Sequence, residues 1–122
     1  MAQNYDSDGD VIPYTNTTGA AIASGQVVVI GHILGIALVA IAIGATGSVA
    51  VSGVWTVPKV AGAVFEQGEK LIWDTSGAAF DDSAATPAAG DITGGAVAWA
   101  AGSNGQATAL VKLTPGNTTK TA

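Results

Sequence analysis

The fold is decided by the segment QVVVIGHILGIALVAIAIGATGSVAVSGVWTVPK, which runs from Gln26 to Lys59. Its first half, Val27 to Gly44, carries no formal charge and is long enough to cross a bilayer as a helix. Three features favour buried β-strands instead. No Lys or Arg flanks the apolar part before Lys59, Val and Ile dominate it, and glycines divide it into pieces of strand length. The segment therefore predicts strands rather than a membrane span.

Further strands are predicted on the carboxyl side of this segment. Residues 48–56 alternate between two faces, and residues 96–101 and 107–113 flank the turn Asn104-Gly105, which is a hairpin signal. Apolar residues at spacings of three and four after Pro58 predict at most one short helix near residues 58–67, ending at Gly68. Because no alternation of strands with helices is present, we expect an all-β fold, a small antiparallel β-barrel or sandwich.

The sequence predicts one domain with two loose ends. Residues 1–10 are polar and acidic and are expected to form a flexible amino-terminal arm. Residues 11–113 would form a single β domain, in which residues 77–95 are mainly loop. Residues 114–122, with the sequence TPGNTTKTA, would form a loose carboxyl-terminal tail.

The composition argues against several classes of function. Nine acidic residues against four Lys and no Arg give a formal charge of −5, which is unsuited to a nucleic-acid-binding face. The absence of Cys excludes thiol catalysis and Cys-ligated metals, and His32 alone cannot supply the common zinc ligand sets. We therefore expect no cofactor, no metal site, no nucleic-acid partner and no membrane partner.

No catalytic motif is found along the chain. His32 lies inside the most apolar segment with no nucleophile motif nearby, so a hydrolase that uses it is a minor alternative. The run Asp6-Ser7-Asp8-Gly9-Asp10 resembles the start of a calcium loop but lacks the required Gly and Glu. Residues 62–70 lack the spacing of a phosphate-binding loop. The sequence therefore predicts that the protein is not an enzyme.

Aromatic residues and the arm are the candidate contact residues. The three Trp residues either fill the core or, for at least one of them, anchor an interface, because an indole buries a large area and keeps one polar N–H. The arm could order against a partner, for example by adding a strand to an exposed sheet edge. The predicted capsid or subunit contact residues are Tyr5, Asp6, Asp8, Asp10, Trp55 and Trp73.

Several segments together resemble the capsid decoration, or cement, proteins of tailed bacteriophages, some of which have been labelled recombinase-like. The resemblance covers roughly residues 8–113, and its signature is a composite of Gly, Pro-Lys and Trp-Asp positions. The segments that carry it are Ser24–Val28, Leu34–Ala37, Ile41–Gly47, Val49–Trp55, Val57–Lys59 and Gln67–Asp74.

The resemblance implies a structural protein on the outer surface of the phage head. Such a protein binds the major capsid protein, commonly as homotrimers at local threefold positions, and stabilises the expanded shell. The acidic charge and the lack of catalytic motifs agree with this role, and the missing phosphate loop and basic face give the recombinase label no support. The alternative is a surface-exposed binding module on the virion, for example for carbohydrate, which exposed Trp in a groove would favour.

Overall fold

The decisive apolar segment folds into β-strands. The computed structural model describes residues 3–4 and 6–122, and none of its helices is long and apolar enough to cross a membrane. The described residues form ten strands: β1 (Val11–Thr15), β2 (Val27–Ile30), β3 (Ile33–Ala37), β4 (Thr46–Ala50), β5 (Val54–Pro58), β6 (Lys70–Asp74), β7 (Ala79–Asp81), β8 (Ile92–Ala98), β9 (Thr108–Leu113) and β10 (Thr119–Lys120).

The strands pair into two antiparallel sheets. The first sheet has the order β1-β4-β3-β2, and the second has the order β5-β9-β8-β6-β7, with β10 added beside β8. Both sheets curl, so the molecule lies between a half-barrel and a sandwich. The expected all-β fold class is confirmed, as is the hairpin, which β8 and β9 form around Asn104-Gly105.

The second sheet repeats the connectivity of the first. In the first sheet β1 pairs with β4, β4 with β3, and β3 with β2. In the second sheet β5 pairs with β9, β9 with β8, and β8 with β6 in the same pattern, and β7 and β10 are additions. Isolated bridges also correspond, Ile22 with Ile41 in the first half and Phe65 with Gly102 in the second. The registers align residue by residue, and the corresponding pairs used below are Val11 with Val54, Asn16 with Lys59, Val27 with Lys70, Ile36 with Val97, Leu38 with Trp99 and Ala50 with Lys112.

The main hydrophobic core lies between the two sheets. One face of β2 and β3 contributes Val27, Leu34 and Ile36, and these pack against the inner face of the second sheet around Phe65 and Phe80. A smaller core on the other face of the first sheet contains Val28, Ala37 and Val49 with the loop residues Ile22 and Ile41. Because β2 has buried residues on both faces, it is apolar throughout instead of alternating.

The helix expected near residues 58–67 does not form. The backbone N–H groups of Lys59, Val60 and Phe65 donate to the carbonyls of Ala107, Phe80 and Gly102, so they are committed to neighbouring strands and loops. The apolar spacing after Pro58 instead places Ala63 and Phe65 in the main core. Tertiary pairing has therefore overridden the helical periodicity.

The carboxyl-terminal segment is also ordered differently from the expectation. Instead of a loose tail, residues 115–117 form one 3₁₀ turn and β10 pairs with β8. The hydrogen bonds continue past β10, because the N–H of Thr121 donates to the carbonyl of Asp91. Part of the expected loop at residues 77–95 likewise forms β7 and the start of β8.

Candidate interaction surfaces

The described residues form no metal-binding cluster. No group of three or more His, Asp or Glu side chains among them could hold a metal ion. His32 is exposed in the two-residue turn between β2 and β3. The exposed aromatic, aliphatic and charged side chains of the described residues define the candidate interaction surfaces.

The two tryptophans predicted as contact residues differ in their surroundings. Trp73 is only 5% exposed and packs edge-on against Phe80, with 4.9 Å between ring centroids, so it belongs to the core. Little of its side chain is exposed in the single chain, and its role as a contact residue stays a prediction. Trp55 is half-buried against the main core, and its indole N–H donates to the carbonyl of Ser52 at 2.8 Å.

One arm residue, Asp10, is bonded to the turn that also holds Trp55. Tyr5 lies outside the described residues, whereas Asp6, Asp8 and Asp10 are all exposed. The carbonyl of Asp10 accepts the N–H of Val51 at 2.9 Å, and its carboxylate accepts the hydroxyl of Ser52 at 3.1 Å. The structure thus joins Asp10 and Trp55 through Ser52, while Asp6 and Asp8 lie further out along the arm. Their role in contacts stays a prediction.

Trp99 is the exposed tryptophan, and the sequence reasoning did not select it. It lies just after β8, where its backbone N–H donates to the carbonyl of Leu110, and its side chain is 49% exposed. A signal for this exists in the sequence. Ala96 and Ala98 are small and alternate with Val97 and Trp99, and in β8 the alanines face the core while the larger residues face outwards.

Trp99 belongs to a continuous outward surface of the second sheet. The strand register places Val54, Lys112, Val97 and Lys70 side by side in one row across β5, β9, β8 and β6. Val54 and Leu110 are 39% and 38% exposed, and the neighbouring row carries Leu110 beside Trp99. We call this surface the basic–apolar face, and its members are Val54, Lys70, Val97, Trp99, Leu110 and Lys112.

A shallow depression of about 340 Å³ adjoins the basic–apolar face. It is lined by Gln67, Gly68, Val97, Trp99 and Lys112 together with Ala98. The Gln67 amide donates to the carbonyl of Trp99 at 3.2 Å, which fixes one wall of the depression. The site offers an indole, an amide and an ammonium group side by side, so it can contact a polar ligand as well as a protein.

A second surface runs along the outer edge of the first sheet. There β2 is an edge strand, and a groove of about 320 Å³ separates it from the end of β6. The groove is lined by Val27, Val28 and Val29 on one side and by Trp73, Thr75 and Ala78 on the other. An unpaired strand edge can accept an extended segment from another chain, and charged side chains that would block it are absent from this lining.

A third surface is the apolar loop between β3 and β4. Leu38, Val39 and Ile43 are 40%, 48% and 63% exposed, which is unusual for three large aliphatic residues so close in sequence. Leu38 is the counterpart of Trp99 in the other half. Each half of the molecule therefore exposes apolar side chains at the same place in the chain.

Two carboxylates have clearly perturbed acidity, and both are structural. The N–H groups of Glu66 and Ser83 and the hydroxyl of Ser83 donate to Glu69, and these bonds lower its pKa. The hydroxyl of Ser76 and the N–H of Gly77 lower the pKa of Asp74 in the same way. Glu69 joins the turn before β6 to the loop after β7, and Asp74 holds the turn that follows β6.

These observations define a small all-β protein whose described residues expose aromatic, aliphatic and charged side chains. The sequence profile of the family described as phage cement protein matches residues 7–113. The match covers most of the chain, so this chain belongs to the phage cement protein family, and the resemblance drawn from the sequence is confirmed. No curated protein and no solved structure shows a significant match. Membership associates the chain with the bacteriophage capsid as a structural protein.

Proposed function

We propose that this protein binds the outer surface of the major capsid protein shell and stabilises the expanded head, as homotrimers at local threefold sites. The observation that carries the proposal is the family match over residues 7–113, to which the exposed apolar surfaces add support. Cement function needs many contacts repeated over a shell, and even weak individual contacts reinforce it strongly by multivalency. The acidic net charge suits the outer surface of a head better than its DNA-facing side.

In this proposal the protein is not an enzyme and has no nucleic-acid or membrane partner. The predicted contact residues Tyr5, Asp6, Asp8, Asp10, Trp55 and Trp73 remain part of the proposal. The exposure of Asp6, Asp8 and Asp10 supports it, as do the hydrogen bonds that join Asp10 and Trp55 at Ser52. The edge of β2 and the loop around Val39 are further surfaces on which a capsid protein could dock.

The test is co-sedimentation of the purified protein with expanded, undecorated heads of its own phage. Saturable binding at three copies per local threefold site is expected, together with a higher temperature of DNA release from decorated heads. The paired variant Asp6→Asn/Asp8→Asn should weaken binding if the arm contacts the shell, and Lys120→Gln, which changes an exposed residue on β10, serves as the matched control. Folded protein that does not bind these heads would refute the cement role.

One observation favours a second candidate, a binding module on the virion surface. Trp99 stands exposed beside a depression that also presents Gln67 and Lys112, an arrangement that could stack against a sugar ring. A glycan array, followed by titration of tryptophan fluorescence with wild type and Trp99→Ala, tests it. Saturable glycan binding that Trp99→Ala abolishes, combined with no binding to heads, would replace the cement proposal by this one.

A further inference from the structure

The basic–apolar face of the second sheet corresponds, in the repeat that relates the two halves, to a surface of the first sheet that is buried. Its row Lys70, Val97 and Lys112 corresponds to Val27, Ile36 and Ala50 in the first sheet. Those three residues are only 7%, 2% and 5% exposed, and Val27 and Ile36 form the contact between the two sheets. The same position in the repeat is therefore a packing surface in one half and an open surface in the other.

Side chains on the open surface are suited to a partner that carries negative charge. Lys70 and Lys112 are two of the four lysines of the whole chain, and about 10 Å separates their positions, with Val97 between them. None of the strands β5, β8 and β9 contains an acidic residue. The carboxylate of Glu69, next to Lys70, is engaged with Glu66 and Ser83. Around these charges stand the apolar side chains Val54, Val97, Trp99 and Leu110.

A segment of matching chemistry lies in the same chain. The arm carries Asp6, Asp8 and Asp10, one third of all the acidic residues, and no lysine. Its last residue, Asp10, is held by Val51 and Ser52 beside Gly53, so the arm leaves the domain next to the Val54 end of the basic–apolar face. Within the single chain the described residues of the arm are exposed, and Trp99 on the face remains 49% exposed.

We propose that the basic–apolar face is an interface between copies of this chain, on which the acidic arm of one copy lies across Lys70 and Lys112 of the next. Each copy then both donates an arm and receives one, and such a head-to-tail contact closes into a ring when the rotation between copies permits. The inference rests on the homotrimer of the proposed function and names the surfaces that would hold it together. Lys70 and Lys112 stand where the first sheet has Val27 and Ala50, so this surface favours binding of an acidic segment over packing of another apolar sheet.

Charge exchange tests the interface by sedimentation velocity at low and high salt. Lys70→Glu/Lys112→Glu should weaken self-association by at least about a hundredfold, because each change replaces attraction by repulsion. Asp6→Lys/Asp8→Lys should weaken it similarly, and Asp10 is left intact to keep the attachment of the arm at Val51 and Ser52. The chain that carries all four changes should associate again, whereas Lys120→Glu, outside the face, should associate like wild type.

Cross-linking decides whether the arm reaches its own face or that of a neighbour. The chain has no cysteine, so Asp8→Cys and Thr56→Cys, the latter exposed between Val54 and Pro58, introduce unique thiols. A bismaleimide added to the mixture of the two single variants should yield a covalent dimer. The proposal would be overturned if only the double variant Asp8→Cys/Thr56→Cys formed a cross-link, and formed it within one chain. Charge-reversed variants that associate like wild type would also overturn it.

The two proposals fail in different ways. Protein that binds heads but remains monomeric in solution, with no cross-linked dimer, would overturn this inference and leave the cement role standing. Protein that forms the charge-dependent oligomer but does not bind heads would support the interface and refute the cement role. Circular dichroism of every variant separates a lost interface from a lost fold.

Discussion

Asn16 and Lys59 show how single residues hold the two halves of the molecule in the same shape. They occupy corresponding positions directly after β1 and β5, and both are buried, at 0% and 4% exposure. Asn16 donates to the carbonyls of Ala20 and Ile41, and the Lys59 ammonium donates to the carbonyls of Val60 and Ala61. Different side chains therefore solve the same problem, since each binds the loop that follows its strand.

Replacing Asn16 by Asp tests this role without changing side-chain size. The two N–H bonds at 2.8 and 3.0 Å would become contacts of a buried carboxylate with carbonyl oxygens. We expect a loss of about 3–5 kcal/mol in the free energy of unfolding at neutral pH. Burial would raise the pKa of the new carboxyl, so the loss should shrink as the pH falls and the group is protonated.

Urea denaturation at pH 7 and pH 4 measures the effect of Asn16→Asp. The exposed Asn104→Asp is the matched control and should change the free energy of unfolding by no more than about 0.5 kcal/mol. Equal destabilisation by the two substitutions would contradict the assigned role of Asn16.

The carboxylate of Glu69 stabilises the fold when it is ionised, whereas the carboxylate introduced by Asn16→Asp destabilises it when ionised. Its folded-state pKa lies below the ordinary value of 4.5, because the N–H groups of Glu66 and Ser83 favour the ionised form. The ionised carboxylate therefore stabilises the fold above pH 4.5, and this contribution is lost as the pH falls through the folded-state pKa. Wild type should be more stable than Glu69→Gln at pH 7, with the difference diminishing below pH 4.5.

Thermal unfolding of both proteins across this pH range provides the measurement. Glu66→Gln changes a neighbouring exposed carboxylate and should alter stability by no more than about 0.5 kcal/mol at pH 7. A stability difference between wild type and Glu69→Gln that is constant with pH would show that ionisation of Glu69 is not what stabilises the turn.

At the scale of elements, one turn design recurs in both halves. A bridge residue is followed three positions later by a glycine with positive φ, and the next strand begins shortly after. In three of the four turns a Gln or Glu after the glycine accepts the N–H of the residue three positions earlier. The four glycines and their φ values are Gly25 (86°), Gly44 (79°), Gly68 (86°) and Gly105 (93°).

Gly68→Ala tests the backbone requirement of this turn. No atom lies within 4 Å of the added methyl group, so its cost is the left-handed backbone alone, about 1–2 kcal/mol of unfolding free energy. Gly62→Ala adds a methyl group in equally open space without a positive φ and should be neutral or slightly stabilising. Chemical denaturation of both variants is the measurement, and equal stabilities would contradict the explanation.

At the scale of the whole molecule, the close approach of the two sheets depends on Gly95. A Cβ at this position of β8 would lie 2.6 Å from Cδ1 of Leu34, which is fully buried in β3. We expect Gly95→Ala to cost about 1–3 kcal/mol through overpacking. Leu34→Ala alone should cost about 2–5 kcal/mol by leaving a cavity.

The double variant Gly95→Ala/Leu34→Ala distinguishes a contact between sheets from two separate defects. The added methyl group would occupy part of the space that Leu34 leaves, so the combined loss in unfolding free energy should be smaller than the sum of the single losses. A double-mutant cycle by urea denaturation provides the measurement, and strict additivity would show that the two residues do not share one packing site.

The sequence by itself determined the features that depend on local chemistry. β-Branched residues divided by glycines specify strands, Asn104-Gly105 specifies a hairpin turn, and residues 7–113 match the phage cement protein family. The all-β class follows from these signals, because branched side chains restrict the helical rotamers and glycine supplies the turn geometry. None of them requires knowledge of which strands become neighbours.

Only the tertiary structure decided what depends on strand pairing. It placed Trp73 in the core and Trp99 on the surface. Alternate residues of a strand point to opposite faces, and the sequence does not show which face of the sheet is the inner one. It also replaced the expected helix after Pro58 by strand and loop contacts, and it ordered residues 115–120 against β8. The basic–apolar face and the repeat that relates the two halves arise from hydrogen bonds between distant segments, and local sequence patterns do not encode which segments those are.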